Sequence, residues 1–267
     1  AYNIYDDNAI RKVFHYPKRG YVYDRNGELL VANQPSYDVM VIPNEVMPLD
    51  TLEFCSLLKI EKEKFLKYYN RAEHYSPWLP SVFLAHLSKE DYAVLSEKMR
   101  KYEGFYIQKR SLRDYQTTIG ANVLGYIAEA NQREIDKDPF YRMGDLIGKQ
   151  GIEISYEKEL RGIKGVKFIQ KDRFNRDIGP YKEGKLDTIP IPGKDITVTI
   201  DAELQAYGER LMQNKIGGIV AIEPSTGEIL SLVSAPSYNP NLLVGRERSE
   251  NYNKLHNDSI HLPLIDK

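Results

Sequence analysis

One cysteine, Cys55, stands in 267 residues, so no intrachain disulfide can form. That scarcity fits the cytosol and fits equally an exported domain that does without disulfides. Neither sign of charge dominates: 37 Lys and Arg against 38 Asp and Glu leave a net charge of −1. With no basic excess and no zinc-finger or RNA-binding signature, nucleic acid is not an expected partner. Long apolar runs are missing too. The longest are strand-sized, which leaves no transmembrane helix within these residues, and the polar opening "AYNIYDDNAIRK" carries no signal-peptide pattern. None of the five histidines, His15, His74, His86, His256 and His261, stands in a His-Glu-x-x-His pattern or beside a cysteine, so no metal site is expected. The glycine-rich phosphate loops of nucleotide-binding proteins are absent as well, and no cofactor is expected.

What is present is a phrase spelled twice. "YVYDRNGELLVANQPSYDV" (residues 21–39) and "IVAIEPSTGEILSLVSAPSYNP" (219–240) both run apolar stretch, acidic residue, turn ending Gly-Glu, apolar stretch, Pro-Ser-Tyr. No copies lie between them, so this is not a solenoid. Asn26-Gly27 suggests a two-residue hairpin turn, and Glu223 to Gly227 a turn one residue longer, with Pro224 presetting it. Each Pro-Ser-Tyr is expected to end its hairpin, because proline cannot donate to a central ladder. Two such hairpins imply two sheets and two domains.

Between them the pattern is mixed. Residues 1–18 read as a polar helix or extended arm. Residues 49–75 carry apolar residues at helical spacing (Leu52, Cys55, Leu58, then Phe65 and Tyr69), which predicts two short helices. Ser88 with Asp91 three residues on predicts a capped helix whose face is Tyr92, Leu95 and Met99, stopped at Gly104 before a strand "FYIQKRSLRDY". Residues 119–130 add a short helix and strand. In "GKQGIEISYEKELRGIKG", Ile152, Tyr156 and Leu160 fall at i, i+4 and i+8 of a helix bounded by glycines. The Gly- and Pro-rich residues 179–195 are the expected domain boundary. A strand (196–200), a helix from Asp201 presenting Leu204, Tyr207 and Leu211, and the second hairpin follow. The polar residues 247–267 stop without a closing element, which suggests an unfinished domain.

Nucleophile motifs are poor. Ser-x-x-Lys, in which a lysine one helical turn on can take the serine proton, occurs at Ser56/Lys59 and at Ser155/Lys158. About one such match is expected by chance in a chain this rich in serine and lysine. Ser237-Tyr-Asn239 offers a Ser-x-Asn, but there is no Lys-Thr-Gly, and the loose substitute Lys149-Gln-Gly151 precedes it. These read as coincidences.

Four boxes in order, "RGYVYDRNGELL", "GKQGIEISYEKELRGIKG", "GKDITVTIDAELQAYGERLM" and "GGIVAIEPSTGEILSLVSAPSYNPNLLVG", resemble the class B penicillin-binding proteins, above all those of the elongation type. The resemblance covers almost the whole chain and is weakest over 40–100. It implies an α+β fold: a non-catalytic N-terminal pedestal of the penicillin-binding protein dimerisation type over residues 1–190, then the first strands and helix of a transpeptidase domain over 191–267. It implies a serine-type peptidoglycan D,D-transpeptidase acting on stem peptides in cell elongation, a β-lactam target on the periplasmic face of the bacterial inner membrane. The expected anchor is an N-terminal helix outside this chain, and membrane and scaffold proteins of the elongation complex are expected partners. The catalytic serine, its lysine, Ser-x-Asn and Lys-Thr-Gly would all lie beyond Lys267, so these residues alone are expected to be inactive. The rival reading is a non-catalytic interaction module of the same complex. Arg19, Asp24 and Glu153 fall in the first two boxes and are the expected structural clamp. Asp24 can accept the amides of its own turn, and Glu153, in the first turn of its helix, is placed to meet Arg19.

Overall fold

The computed structural model describes residues 10–172 and 177–267, so residues 1–9 of the arm expected over residues 1–18 lie outside them. Residues Ile10–His15 form a strand. The fold is a mixture of α and β, as its motif order implies.

Its spine is a pair of long antiparallel strands, Leu29–Val41 and Phe105–Tyr115, in register from Val31 opposite Tyr115 to Val41 opposite Phe105. The other flank of Leu29–Val41 is shared. The first hairpin's arm Val22–Tyr23 pairs at one end and Ser81–Leu87 at the other. Pro35-Ser36-Tyr37 therefore does not end the first hairpin, contrary to expectation: Pro35 sits inside the long strand, paired with Ser111. Proline is tolerated there because, among the described residues, no strand pairs with that other flank between Val31, where the hairpin arm stops, and Tyr37, where Ser81–Leu87 begins. The hairpin loop also differs. Asp24 N–H donates to Glu28 C=O at 2.8 Å, leaving a three-residue loop in which Gly27 alone has positive φ, +87°. The carboxylate of Asp24, accepting from both Asn26 and Glu28 amides, favours this form over the two-residue turn.

At the far end of the spine, helices Thr51–Leu58, Lys62–Tyr75 and Lys89–Lys98 enclose an aromatic core of Phe54, Phe65, Phe83 and Phe105. Asp50 caps the first helix and Ser88 the third, each through its side chain. Leu52 turns out to solvent, since the buried face of its helix is Phe54, Cys55 and Leu58. Tyr92 stacks on Tyr37 at 3.9 Å, while Leu95 and Met99 are buried as their spacing requires.

Two smaller assemblies pack along strand Phe105–Tyr115, where Gln108 Nε2 donates to Phe14 C=O at 2.9 Å and Arg11 lies over the Tyr106 ring. Strands Ile10–His15, Gly165–Lys171 and Asp177–Pro180 form one sheet. Ile127–Glu129 and Leu146–Gly148 form a pair beside it. Residues 179–195 are not a loose tether. They fold back along Gly165–Lys171 through the bridges Ile163–Ile191 and Val166–Thr188. Gly193 then donates to Lys18 C=O and Lys194 to Glu159 C=O, both within 2.9 Å. The chain enters the five-stranded sheet at Ile196–Thr197, parallel to Val22–Tyr23. A Cβ on Gly20 would stand 1.9 Å from Lys194 C=O, so only glycine admits this passage.

The second hairpin, Gly217–Ile222 with Ile229–Ala235, forms its own two-stranded sheet, backed by helix Ala202–Leu211. Leu204, Tyr207 and Leu211 do not face it; Tyr207 is 52% exposed. The packed face is Ala202, Gln205 and Gly208. Gln205 Nε2 donates to Leu232 C=O at 2.9 Å and Oε1 accepts from Leu232 N–H at 2.8 Å, so its amide joins the strand as a peptide would. Small and hydrogen-bonding residues let this helix approach closely, and the apolar stripe is left outward. Among the described residues no helix is long and apolar enough to cross a membrane.

Candidate functional site

The Gly-Gly-bounded segment around Glu153 is two short helices, Gly151–Ser155 and Glu157–Leu160, broken at Tyr156. Ile152, Tyr156 and Leu160 do not line a common buried face. Tyr156 is exposed, and the inward positions are Glu153, Glu157 and Leu160, at i, i+4 and i+7. Two carboxylates thus point into the protein, an arrangement that costs heavily unless they meet cations there.

They do. Arg19 Nε donates to Glu153 Oε2 at 2.7 Å and Arg19 Nη1 to Glu157 Oε1 at 3.1 Å, with Nη2 closing on Glu157 Oε2 and on Glu153 C=O. From the long strand, Arg113 Nε donates to Glu153 Oε1 at 2.6 Å. Arg113 Nη1 reaches Gly20 C=O and Asn33 Oδ1, and Asn33 Nδ2 returns to Arg19 C=O. Tyr141 Oη and Gly148 N–H complete the shell of Glu157. Arg113 is 0% exposed and Glu153 1%. Burial alone would raise the Glu153 carboxyl, but the charges of Arg113 and Arg19 outweigh it and hold the group below its ordinary value. Two arginines against two glutamates make a neutral, hydrogen-bonded junction of the hairpin entry, the long strand and the helix pair.

Asp24 takes no part in that network. It is buried at a second junction, where Oδ2 accepts from the Ala202 N–H at 3.2 Å, at the start of helix Ala202–Leu211. Asp201, the N-cap of that helix, accepts from Asn26 Nδ2 at 3.2 Å, and Arg25 N–H donates to Ile200 C=O. The first hairpin's tip is therefore seated on the start of the second hairpin's helix. Glu228, in the second hairpin's turn, lies 3.4 Å from Arg25.

A further buried cluster was not anticipated. Arg110 pairs with Asp38 at 3.0 Å and with Asp145 at 3.5 Å. Asp145 also accepts from Tyr16 Oη at 2.7 Å and meets Lys164. The Arg110 guanidinium lies 3.8 Å over the Tyr16 ring. Arg110, Arg113, Asp38 and Asp145 lie in no motif, and Glu157, though inside the box around Glu153, carries no separate signal. The only trace of them was the i, i+4 spacing of Glu153 and Glu157.

None of this is a nucleophile apparatus. Ser56 and Ser155 are exposed, and Lys59 is turned away to Asp91 at 2.7 Å. Asn239 of Ser237-Tyr-Asn239 is spent on capping the amide of Asn241. Among the described residues no group of three His, Cys, Asp or Glu is arranged to hold a metal ion.

The family model of the penicillin-binding protein dimerisation domain matches residues 14–198. Peptidoglycan D,D-transpeptidase MrdA of Acinetobacter baumannii is 34% identical over 268 residues, covering 98% of this chain and 39% of that protein. MrdA of Escherichia coli is 29% identical, covering 98% of this chain and 42% of that protein. The solved complex between penicillin-binding protein PBP2 and MreC from Helicobacter pylori superposes with a TM-score of 0.77 at 24% identity, covering 96% of this chain and 48% of the other. PBP2 of the same organism, solved alone, gives 0.66 at 25% identity. The chain spans about two fifths of the length of these curated relatives.

Proposed function

Because the chain belongs to the penicillin-binding protein dimerisation-domain family, we propose that it is the pedestal, with the opening elements of the catalytic domain, of a peptidoglycan D,D-transpeptidase of the elongation type. The match with MrdA proteins over nearly the whole chain carries this reading. In it, residues 1–190 are the pedestal and 191–267 begin the transpeptidase domain, with the seam crossed by Ile196–Thr197 and by the hairpin tip at Asp24. The whole protein cross-links stem peptides through a serine outside these residues. It works on the periplasmic face of the inner membrane, held by an anchor also outside them. A scaffold partner of the MreC kind is supported by the solved complex of the Helicobacter protein.

Arg19 and Glu153, with Arg113 and Glu157, then serve as a mechanical clamp: they fix the hairpin entry to the helix pair, and so fix the attitude of whatever the pedestal holds. Asp24 is a second fastening, from the hairpin tip to helix Ala202–Leu211. Neither does chemistry.

Fluorescent penicillin tests the assignment. The 267-residue chain should take up no label, and a version extended through the next Ser-x-x-Lys should be labelled at one serine. Adduct on Ser56 or Ser155 of the 267-residue chain, read by intact mass and peptide mapping, would overturn it.

A further inference from the structure

A cleft of about 470 Å³ opens beside the Arg110 cluster, between the helix Lys62–Tyr75 and strand Ser81–Leu87 on one bank and residues 243–250 on the other. Its size suits a small molecule. Lys64 and Arg71 stand on the first bank, Arg246 and Arg248 on the second; none of the four makes an ion pair among the described residues, although Arg71 Nη2 donates to Val82 C=O at 2.8 Å, leaving its other nitrogens for a ligand. Of the lining carboxylates, Asp38 is held by Arg110 and Glu250 by Lys254, leaving Glu129 and Glu247 against those four cations. Lys64, Arg71 and Arg246 are exposed and screened, so their repulsion is modest, but four cations without an acidic partner lining one cleft favour an anion there.

Two further features lie on the same cleft. His86, on its wall, holds a left-handed backbone at φ +62°, a conformation uncommon for a non-glycine residue though histidine tolerates it better than most. Its amide is pinned to Asp38 Oδ1 at 2.9 Å, while its ring Nδ1 is buried without a partner. Arg113, which also lines the cleft and is fully buried, has Nη2 without a partner. Orphaned buried polar atoms are rare, and each asks for a ligand or an ordered group.

We propose that this cleft binds a small ligand bearing two oxyanion groups, phosphate or carboxylate. One group is held by Lys64 and Arg71 and the other by Arg246 and Arg248, with His86 Nδ1 as a hydrogen-bonding contact. Arginine forks suit either oxyanion bidentately. Such a ligand bridges the helical end of the pedestal to residues 243–250, so its occupancy would tie together two parts of the chain that otherwise meet across an open cleft.

Titration calorimetry of the 267-residue chain with inorganic pyrophosphate in one arm and glutarate in the other tests this. Saturable binding at one site per chain is expected in at least one arm, and the arm that binds tells phosphate from carboxylate. Arg248→Gln, which loses a charge-assisted bond, should weaken it about tenfold or more. His86→Asn keeps a residue that tolerates the left-handed backbone and removes the imidazole, so a severalfold weakening with an unchanged thermal midpoint is expected. Arg133→Gln, on an exposed helix away from the cleft, should leave affinity unchanged. No saturable binding in either arm, or equal weakening by Arg133→Gln and Arg248→Gln, overturns the proposal.

Discussion

Glu153 is held by two arginines and is 1% exposed, which makes it the residue whose loss is most readily predicted. Glu153→Gln keeps the shape but leaves Arg19 and Arg113 short of a buried counter-charge. Breaking a buried pair from one side costs about 3–5 kcal/mol, and urea unfolding at pH 7 should show a loss in that range. An exposed pair such as Lys254–Glu250 gives the contrast: both side chains are about 70% exposed, so solvent screens them and Glu250→Gln should leave the unfolding curve unchanged. The pH dependence has a definite sign. The folded carboxyl of Glu153 ionises below its unfolded value, near 4.5. Its contribution is therefore complete above about pH 4.5 and is lost as pH falls through the folded value. The stability gap between the parent chain and Glu153→Gln should hold from pH 7 to pH 5 and narrow toward pH 3. A gap that stays constant to pH 3 would show that the carboxylate's charge is not what the junction uses.

At the scale of elements, the first hairpin and the helix pair meet through glycines as much as through charges. Gly20 N–H donates to Leu160 C=O at 2.9 Å, and a Cβ there would meet backbone rather than a movable side chain. Gly20→Ala should cost about 1–3 kcal/mol by overpacking, lowering the thermal midpoint by roughly 3–10 °C. Gly227 faces open space but has φ +78°. Gly227→Ala should cost only the left-handed strain of about 1–2 kcal/mol, and a larger loss at Gly227 than at Gly20 would contradict the close packing inferred here. These elements differ in how openly the sequence declares them. The caps at Ser88 and Asp201, the strand 105–115 and both hairpins follow from local chemistry, since cap, turn and alternation act within a few residues. Glu153 could be placed on its helix in the same way. Arg113 could not: an arginine in "FYIQKRSLRDY" reads as a solvent-facing strand residue, and only the pairing of chain segments 40 residues apart makes it a core residue. The stripe Leu204, Tyr207, Leu211 misled for the opposite reason, because apolar periodicity marks a face without saying what covers it.

For the whole molecule, burial is uneven. The spine strands 29–41 and 105–115 are flanked by other strands, three helices and an aromatic core. The second hairpin is a two-stranded sheet backed by one helix, and both elements present apolar residues to solvent: Tyr207 and Leu211 on the helix, Val220 and Ile222 on the strand. Two strands with one helix are near the lower limit of what holds together in water, and local opening is cheapest where few apolar contacts must be broken. Amide hydrogen exchange followed by mass spectrometry should therefore show residues 202–235 exchanging well before residues 105–115. The link that opposes this is the seam: Asp24 on the Ala202 amide and Arg25 on Ile200 C=O tie the helix start to the pedestal. Asp24→Ala removes the bond at Ala202 and the turn's own two bonds. It should speed exchange in 202–235 further while leaving 105–115 unchanged. Equal protection of the two regions in the parent chain, or an Asp24→Ala effect spread evenly over both, would mean that the second hairpin opens only with the pedestal and that the chain unfolds as one unit.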